Sequence, residues 1–383
     1  MKYTLIRRSG ADAQRAGAWS VATLACLILM AISPPMTWAK VSDITGPING
    51  RAPTATGALE VMFPNGTTAV TNNAVVNITM KPIDFLVSTT ALTLQDLDGD
   101  TGLSTSINTS EVTWDWKDNG VALTPAQLAA PFSTNFLGKT LTVAASAPVT
   151  VSSLTGVPKQ NTPATFNSAT YTLVVPATLP VVRVNGVSFA MDSGFPKTGF
   201  NQAQFQFWMN GTSAAENSNY TFAADPLAPW VKVDPRWGIV IFTGTPTSAQ
   251  TVNLTITDNR GGPATTFSFR VGTWFINNGT NYATAAGADS YCASKTGYAT
   301  PSYLNMTNAA SLGAFGTRAA DGRLWDEWGN IGDPRSYSAG WSMDYYWARE
   351  TVGENRVFFG TRYGDLNLNR PIDFRYVACS RTL

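Results

Sequence analysis

The 383 residues contain no histidine. Its absence removes Ser-His-Asp and Cys-His triads, HExxH zinc sites and every other reaction built on imidazole. Carboxylates, Lys, Tyr and Ser are the groups left to carry any catalysis. Charge is scarce as well, at 13% of residues against 44% hydrophobic, so the chain has enough apolar material for two or three domains. Cysteine is limited to Cys26, Cys292 and Cys379. The only long apolar run is N-terminal, "AWSVATLACLILMAI", behind Lys2, Arg7, Arg8 and Arg15 and ahead of "SPPMTWAK". That order predicts a cleavable secretory signal over residues 1–39, with an uncleaved anchor as the alternative.

Removing that segment takes away four of the 26 basic and one of the 25 acidic side chains and leaves a net charge of about −2. No basic stripe then remains to neutralise phosphates, so nucleic acid and anionic membrane are excluded as partners. Cys292 and Cys379 would be an even pair in an exported protein, which predicts one disulfide. No cofactor is expected.

Aromatics are abundant: 12 Trp, 19 Phe and 12 Tyr beside many Thr, Asn, Gly and Pro. This mixture suits short strands joined by turns. In "EVTWDWKDNG", Val112, Trp114 and Trp116 alternate with Thr113, Asp115 and Lys117 before an Asp-Asn-Gly turn, and "GKTLTVAA" and "ATYTLVVP" read as later strands. Residues 40–178 are therefore expected to form an immunoglobulin-like sandwich behind a Pro/Gly-rich lead. "VVPATLPVV" reads as a linker. "FQFWMNG", "YTFAA", "APWVKVDP", "WGIVIFTGTP", "TVNLTITDN" and "TTFSFRVG" then predict a second sandwich over 179–273. From Trp274 helical spacing enters for the first time: Ala285, Ala288, Tyr291 and Cys292 behind a Thr284 cap, and "SYLNMTNAA" as a second helix capped by Ser302. Aromatic strands follow, so 274–383 reads as an α+β unit whose first helix is tied by sulfur to its last strand.

A Trp-Phe opening, "DSYCAS", "YATPSYLNMTNA", "LWDEWGN", "YYW" and a terminal "YVACS" together resemble the C-type-lectin-like tip of the intimin and invasin adhesins of Gram-negative bacteria. The two sandwiches resemble the immunoglobulin-like repeats of the same proteins. The resemblance implies an exported or surface-held adhesin that binds a protein receptor through its tip and has no enzymatic activity. Family members usually carry an outer-membrane barrel, which has no room here. The layout is similar to that of barrel-less exoproteins of Zir-type systems, whose partner is a separate intimin-like barrel.

Three groups of residues are candidates for chemistry. Asp326 and Glu327 of "LWDEWGN" could serve a carboxylate-dependent glycan hydrolase, the rival reading; a purely structural spacer is the third. On an extended stretch the two acids would point to opposite faces and could not flank one bond, so Trp325 and Trp328 are expected in the core with Gly329-Asn330 as a turn. Asp96, Asp98 and Asp100 imitate a calcium loop, yet Thr101 and Ile107 occupy the places of its Gly and bidentate Glu, which favours an acidic turn. Asp333, Arg335, Tyr337, Trp341 and Tyr346 gather residue types that dominate interface hot spots and are the candidates for partner binding. Calcium-dependent sugar-binding triplets are missing, so a lectin-like fold would not itself imply a sugar.

Overall fold

The computed structural model describes residues 49–383; the expected signal lies outside them. The protein is mainly β, and its sheets fall along the chain in the order the alternation predicts.

In the first region the longest strand, Thr140–Ser152, is the hub. It turns Leu141, Val143, Ala145, Ala147, Val149 and Val151 inward without a break. It pairs with Thr113–Asp118, Tyr171–Val174, Ala164–Asn167 and Ser104–Ile107. Trp116 is buried against Phe85 at 5.1 Å and Phe132 at 6.0 Å, while Trp114 on the same side is only partly covered. Asn119 and Gly120 take positive φ, 48° and 82°, the hairpin geometry that Asn-Gly favours. Two short helices stand before Trp274, where the sequence pattern predicts none. Pro125–Ala129 starts from a Thr124–Gln127 capping box with Pro at its first position, and Phe132–Asn135 buries Phe132.

The second region is an immunoglobulin-like sandwich. One sheet runs in the order Val187–Ala190, Val181–Val184, Gln204–Trp208, Ile239–Phe242, Val231–Val233; the other is Tyr220–Ala223, Thr251–Asp258, Thr265–Arg270. Phe205, Phe207 and Phe242 of the first meet Phe222, Phe267 and Phe269 of the second.

The third sheet begins inside the second region. Thr198–Phe200 pairs in parallel with Thr273–Phe275. The strand Thr273–Ala283 then pairs with Arg375–Thr382, followed outward by Tyr345–Val352, Asn355–Gly360 and Leu366–Asn369. Helix Ala285–Ala293, capped by Thr284 accepting from Gly287 N, buries Ala285, Ala288 and Cys292 on one face of this sheet. Cys292 is bonded to Cys379, joining that helix to the last strand. The second expected helix is shorter than its pattern suggested: only a 3₁₀ turn, Tyr303–Asn305, follows the Ser302 cap. Its end is set by Met306, whose carbonyl takes the Trp325 N–H at 2.8 Å rather than continuing a helix.

One hydrophobic core runs without interruption from the second sandwich into the third sheet. Trp328 lies 5.0 Å from Phe195, 5.5 Å from Phe200 and 5.7 Å from Phe242, and Trp274 and Phe275 at the connection are fully buried.

Candidate functional site

The segment Asp333–Tyr346 does not present its aromatics. Tyr337 is 4%, Trp341 8% and Tyr346 0% exposed. The Tyr337 hydroxyl donates to the Trp328 carbonyl at 2.7 Å and its ring sits 5.3 Å from Phe200. Trp341 packs on Tyr346 at 5.1 Å, and Tyr346 stacks on Tyr376 at 5.3 Å. Three of the five binding candidates are therefore core residues. The cause is that both faces of the strand Tyr345–Val352 are covered at its buried stretch Tyr346–Ala348: Tyr346 faces the core shared with the second sandwich, and Trp347, donating Nε1 to the Ala283 carbonyl, faces the disulfide-linked helix. Only Arg335 and, in part, Asp333 remain at the surface, in one turn where Asp333 Oδ1 accepts from Arg335 N at 3.0 Å.

Other aromatics are exposed instead, and topology places them together. The strand Thr273–Ala283 leaves the second sandwich at Thr273, opposite Thr382, and reaches Ala283, opposite Arg375, with a bulge between Asn277 and Tyr282; the eight residues of the partner strand measure this span at roughly 24 Å. At that far end Tyr282, Tyr345 and Phe374 are 39–59% exposed. Tyr282 lies on Tyr376 at 4.2 Å and donates to Asp344 Oδ2 at 3.3 Å. Arg375 covers the Phe358 ring at 4.9 Å and the Tyr345 ring at 5.9 Å. The neighbouring turn is anchored by Thr361 N donating to the Asp344 carbonyl. It carries Tyr363, which stacks on the exposed Phe315 at 5.1 Å with Arg362 over its ring at 4.9 Å. Alternation along the strands could not reveal this surface, because it is assembled from loop ends far apart in sequence.

"LWDEWGN" is helical, Leu324–Trp328, not extended. Gly329 closes it at φ 71°, and a Cβ there would stand 2.4 Å from Arg318 Nη1, so glycine is required twice over. Trp325 and Trp328 are core, as expected. Asp326 and Glu327 are fully buried. Burial pushes both carboxyls up to about 7, against the hydrogen bonds that Thr198 and Lys197 give Glu327 and with the Asp321 carboxylate adding to the effect at Asp326. Such values often mark acid–base catalysts, but a sealed pair offers a substrate no approach.

Asp96, Asp98 and Asp100 do not converge either. Asp96 Oδ1 accepts from the Asp98 and Asp100 amides at 2.8 and 3.3 Å, and Asp98 pairs with Arg51 at 2.9 Å. Asp100 takes the Thr155 hydroxyl at 2.8 Å. The Arg51 amide, and then its guanidinium, hold the Asp98 carboxyl below its usual range. Among the described residues no group of three or more acidic or thiol side chains is placed to hold a metal. Elsewhere a mostly apolar cleft of about 480 Å³ opens between the first two regions, lined among others by Ile78, Leu179, Pro180, Met191 and Met209.

A family model described as invasin, domain 4, matches residues 180–269. The inverse autotransporter adhesin YeeJ of Escherichia coli (strain K12) is 28% identical over 209 residues, covering 53% of this chain and 8% of that protein. The invasin of Yersinia enterocolitica is 31% identical over 172 residues, covering 44% of this chain and 19% of that protein. The chain is a relative of invasin and of the inverse autotransporter adhesin YeeJ over these segments. A crystal structure of invasin, an integrin-binding bacterial protein, aligns over 85% of this invasin-like chain and 59% of its own, at 22% identity and a TM-score of 0.48. The matched part of each curated relative is less than a fifth of its length.

Proposed function

We propose that this protein is an exported adhesin that binds a protein receptor through the far end of its third unit. In this reading residues 40–178 and 179–273 are two immunoglobulin-like units that carry a C-type-lectin-like tip, 274–383, and a separate intimin-like outer-membrane barrel exports or displays the chain. The observation that carries the reading is the group of exposed aromatics Tyr282, Tyr345 and Phe374 around Arg375, at the end of the strand pair Thr273–Ala283/Arg375–Thr382 that points away from the second sandwich. Exposed aromatics grouped in this way mark an interaction surface, and Tyr, Phe and Arg are the side chains from which interface hot spots are built.

The test is saturable binding of the purified chain to cultured epithelial cells, before and after trypsin strips their surface proteins. Binding should disappear after stripping. Y345D and F374D should each weaken it about tenfold or more, equivalent to roughly 1.4 kcal/mol, while R335A, on the turn indicated by the sequence pattern, should change it little. Binding indifferent to both aspartate variants would overturn the placement, and binding that survives stripping would overturn the protein-receptor reading.

A further inference from the structure

Glu327 reaches across the joint between the third unit and the second sandwich. It accepts the Lys197 N–H at 3.0 and 3.2 Å, the Thr198 N–H at 2.8 Å and the Thr198 hydroxyl, to which Trp328 Nε1 also donates at 3.0 Å. Its neighbour Asp326 is as deeply buried and far less satisfied. Oδ1 accepts only the Asn308 N–H at 3.2 Å, Oδ2 has no hydrogen-bond partner, and the Asp321 carboxylate faces it.

The cations around this pair are engaged elsewhere. Arg318 donates to four backbone carbonyls, those of Val184, Asn185, Asp326 and Glu327, at 2.8–3.2 Å. Lys197 Nζ donates to the Ala320 carbonyl at 3.1 Å. Arg183 lies over the Trp208 ring at 4.7 Å. Arg323 is 2.6 Å from Asp321 and only 3.7 Å from Asp326. Two carboxyls removed from water without a dedicated cation favour their neutral forms. A neutral Glu327 can still accept the two backbone N–H groups of the sandwich.

We propose that Asp326 and Glu327 make this joint an acid-tightened latch, firm while they are protonated and loosened as they ionise. Both carboxyls sit near 7 in the folded chain against ordinary values of 3.8 and 4.5. The stability they contribute is therefore fully present below about pH 4, declines as pH rises through the folded values near 7, and is level above them. The consequence is mechanical: in acid the far end is held rigidly on the second sandwich, and towards neutral pH it gains freedom at Lys197–Thr198. The latch uses none of the aromatic side chains of the proposed binding surface, so it stands or falls separately from the adhesin reading.

Hydrogen exchange of the full chain, corrected for the intrinsic pH dependence of exchange, tests this. Protection of the Lys197 and Thr198 amides should fall roughly tenfold or more between pH 5 and pH 8, while Val143 in the first region stays level. In the double variant D326N/E327Q the two profiles should be flat. A ¹³C titration of the wild-type side-chain carboxyls supplies the second measurement, decisive even if the double variant does not fold. Midpoints near 7 support the latch, and midpoints at the ordinary values, or level wild-type protection, overturn it.

Discussion

Arg260 shows how much one side chain contributes to joining the first two regions. It leaves the second sandwich and donates to the Val75 carbonyl of the first. Its guanidinium lies 5.0 Å over Phe63, and its own carbonyl takes the Asn65 N–H at 2.9 Å. The charge is balanced by Asp258 at 2.8 Å, with the two side chains 8% and 0% exposed. R260A would leave the Asp258 carboxylate buried and alone, a loss of about 3–5 kcal/mol, read as a lower urea midpoint; R260K, which cannot reproduce the forked contact, should recover only part of it. At the other joint, W328A removes a ring that touches both partners of the continuous core and should cost about 3–5 kcal/mol.

At the scale of elements, helix Ala285–Ala293 has too short an apolar face to stay folded unaided. It is held by the Thr284 cap, by burial against Trp347, Phe358 and Val377, and by the bond from Cys292 to Cys379, which closes 87 residues of sequence. The chain-entropy model gives such a closure about 4–5 kcal/mol. C292S/C379S should therefore lower the stability of the third unit by an amount of that order, measured by denaturant unfolding, with the strands of the first region unaffected. The helix at Leu324–Trp328 is not legible in the sequence because five residues show no helical period of their own. Its conformation follows from Trp325 N donating to Met306 O and Gly329 N donating to Trp325 O, contacts that no local pattern encodes.

Across the whole molecule the two connections differ. Between the first and second regions Ala177, Thr178 and Leu179 are exposed, and Thr178 Oγ1 donates to the Asn210 carbonyl at 3.2 Å as that stretch's side-chain hydrogen bond. Between the second region and the third sheet, Trp274 and Phe275 are buried and the parallel pairing of Thr198–Phe200 crosses the joint. Limited proteolysis should cut first at Ala177–Leu179 and leave a fragment of about residues 180–383 that resists further digestion. Early cleavage between Gly272 and Gly279 would contradict the shared core.

The sequence by itself determined the β class, the positions of most strands, the Asn119-Gly120 hairpin, the Thr284 cap and the cysteine pair, because alternation, turn residues and capping are local and their energies lie within a few neighbouring residues. It also carried the family likeness, since the order of aromatic and cysteine landmarks is linear information. Only the tertiary structure decided which face of an aromatic strand stays in water. Tyr337, Trp341 and Tyr346 look like a binding surface until a second sandwich covers them, and Tyr282, Tyr345 and Phe374 look unremarkable until strand and loop ends bring them to one pole. Asp326 and Glu327 follow the same rule. Their residue types suggested a catalytic pair, and the burial of Glu327 against Lys197 and Thr198, about 130 residues away in the chain, depends on long-range packing that no periodicity records.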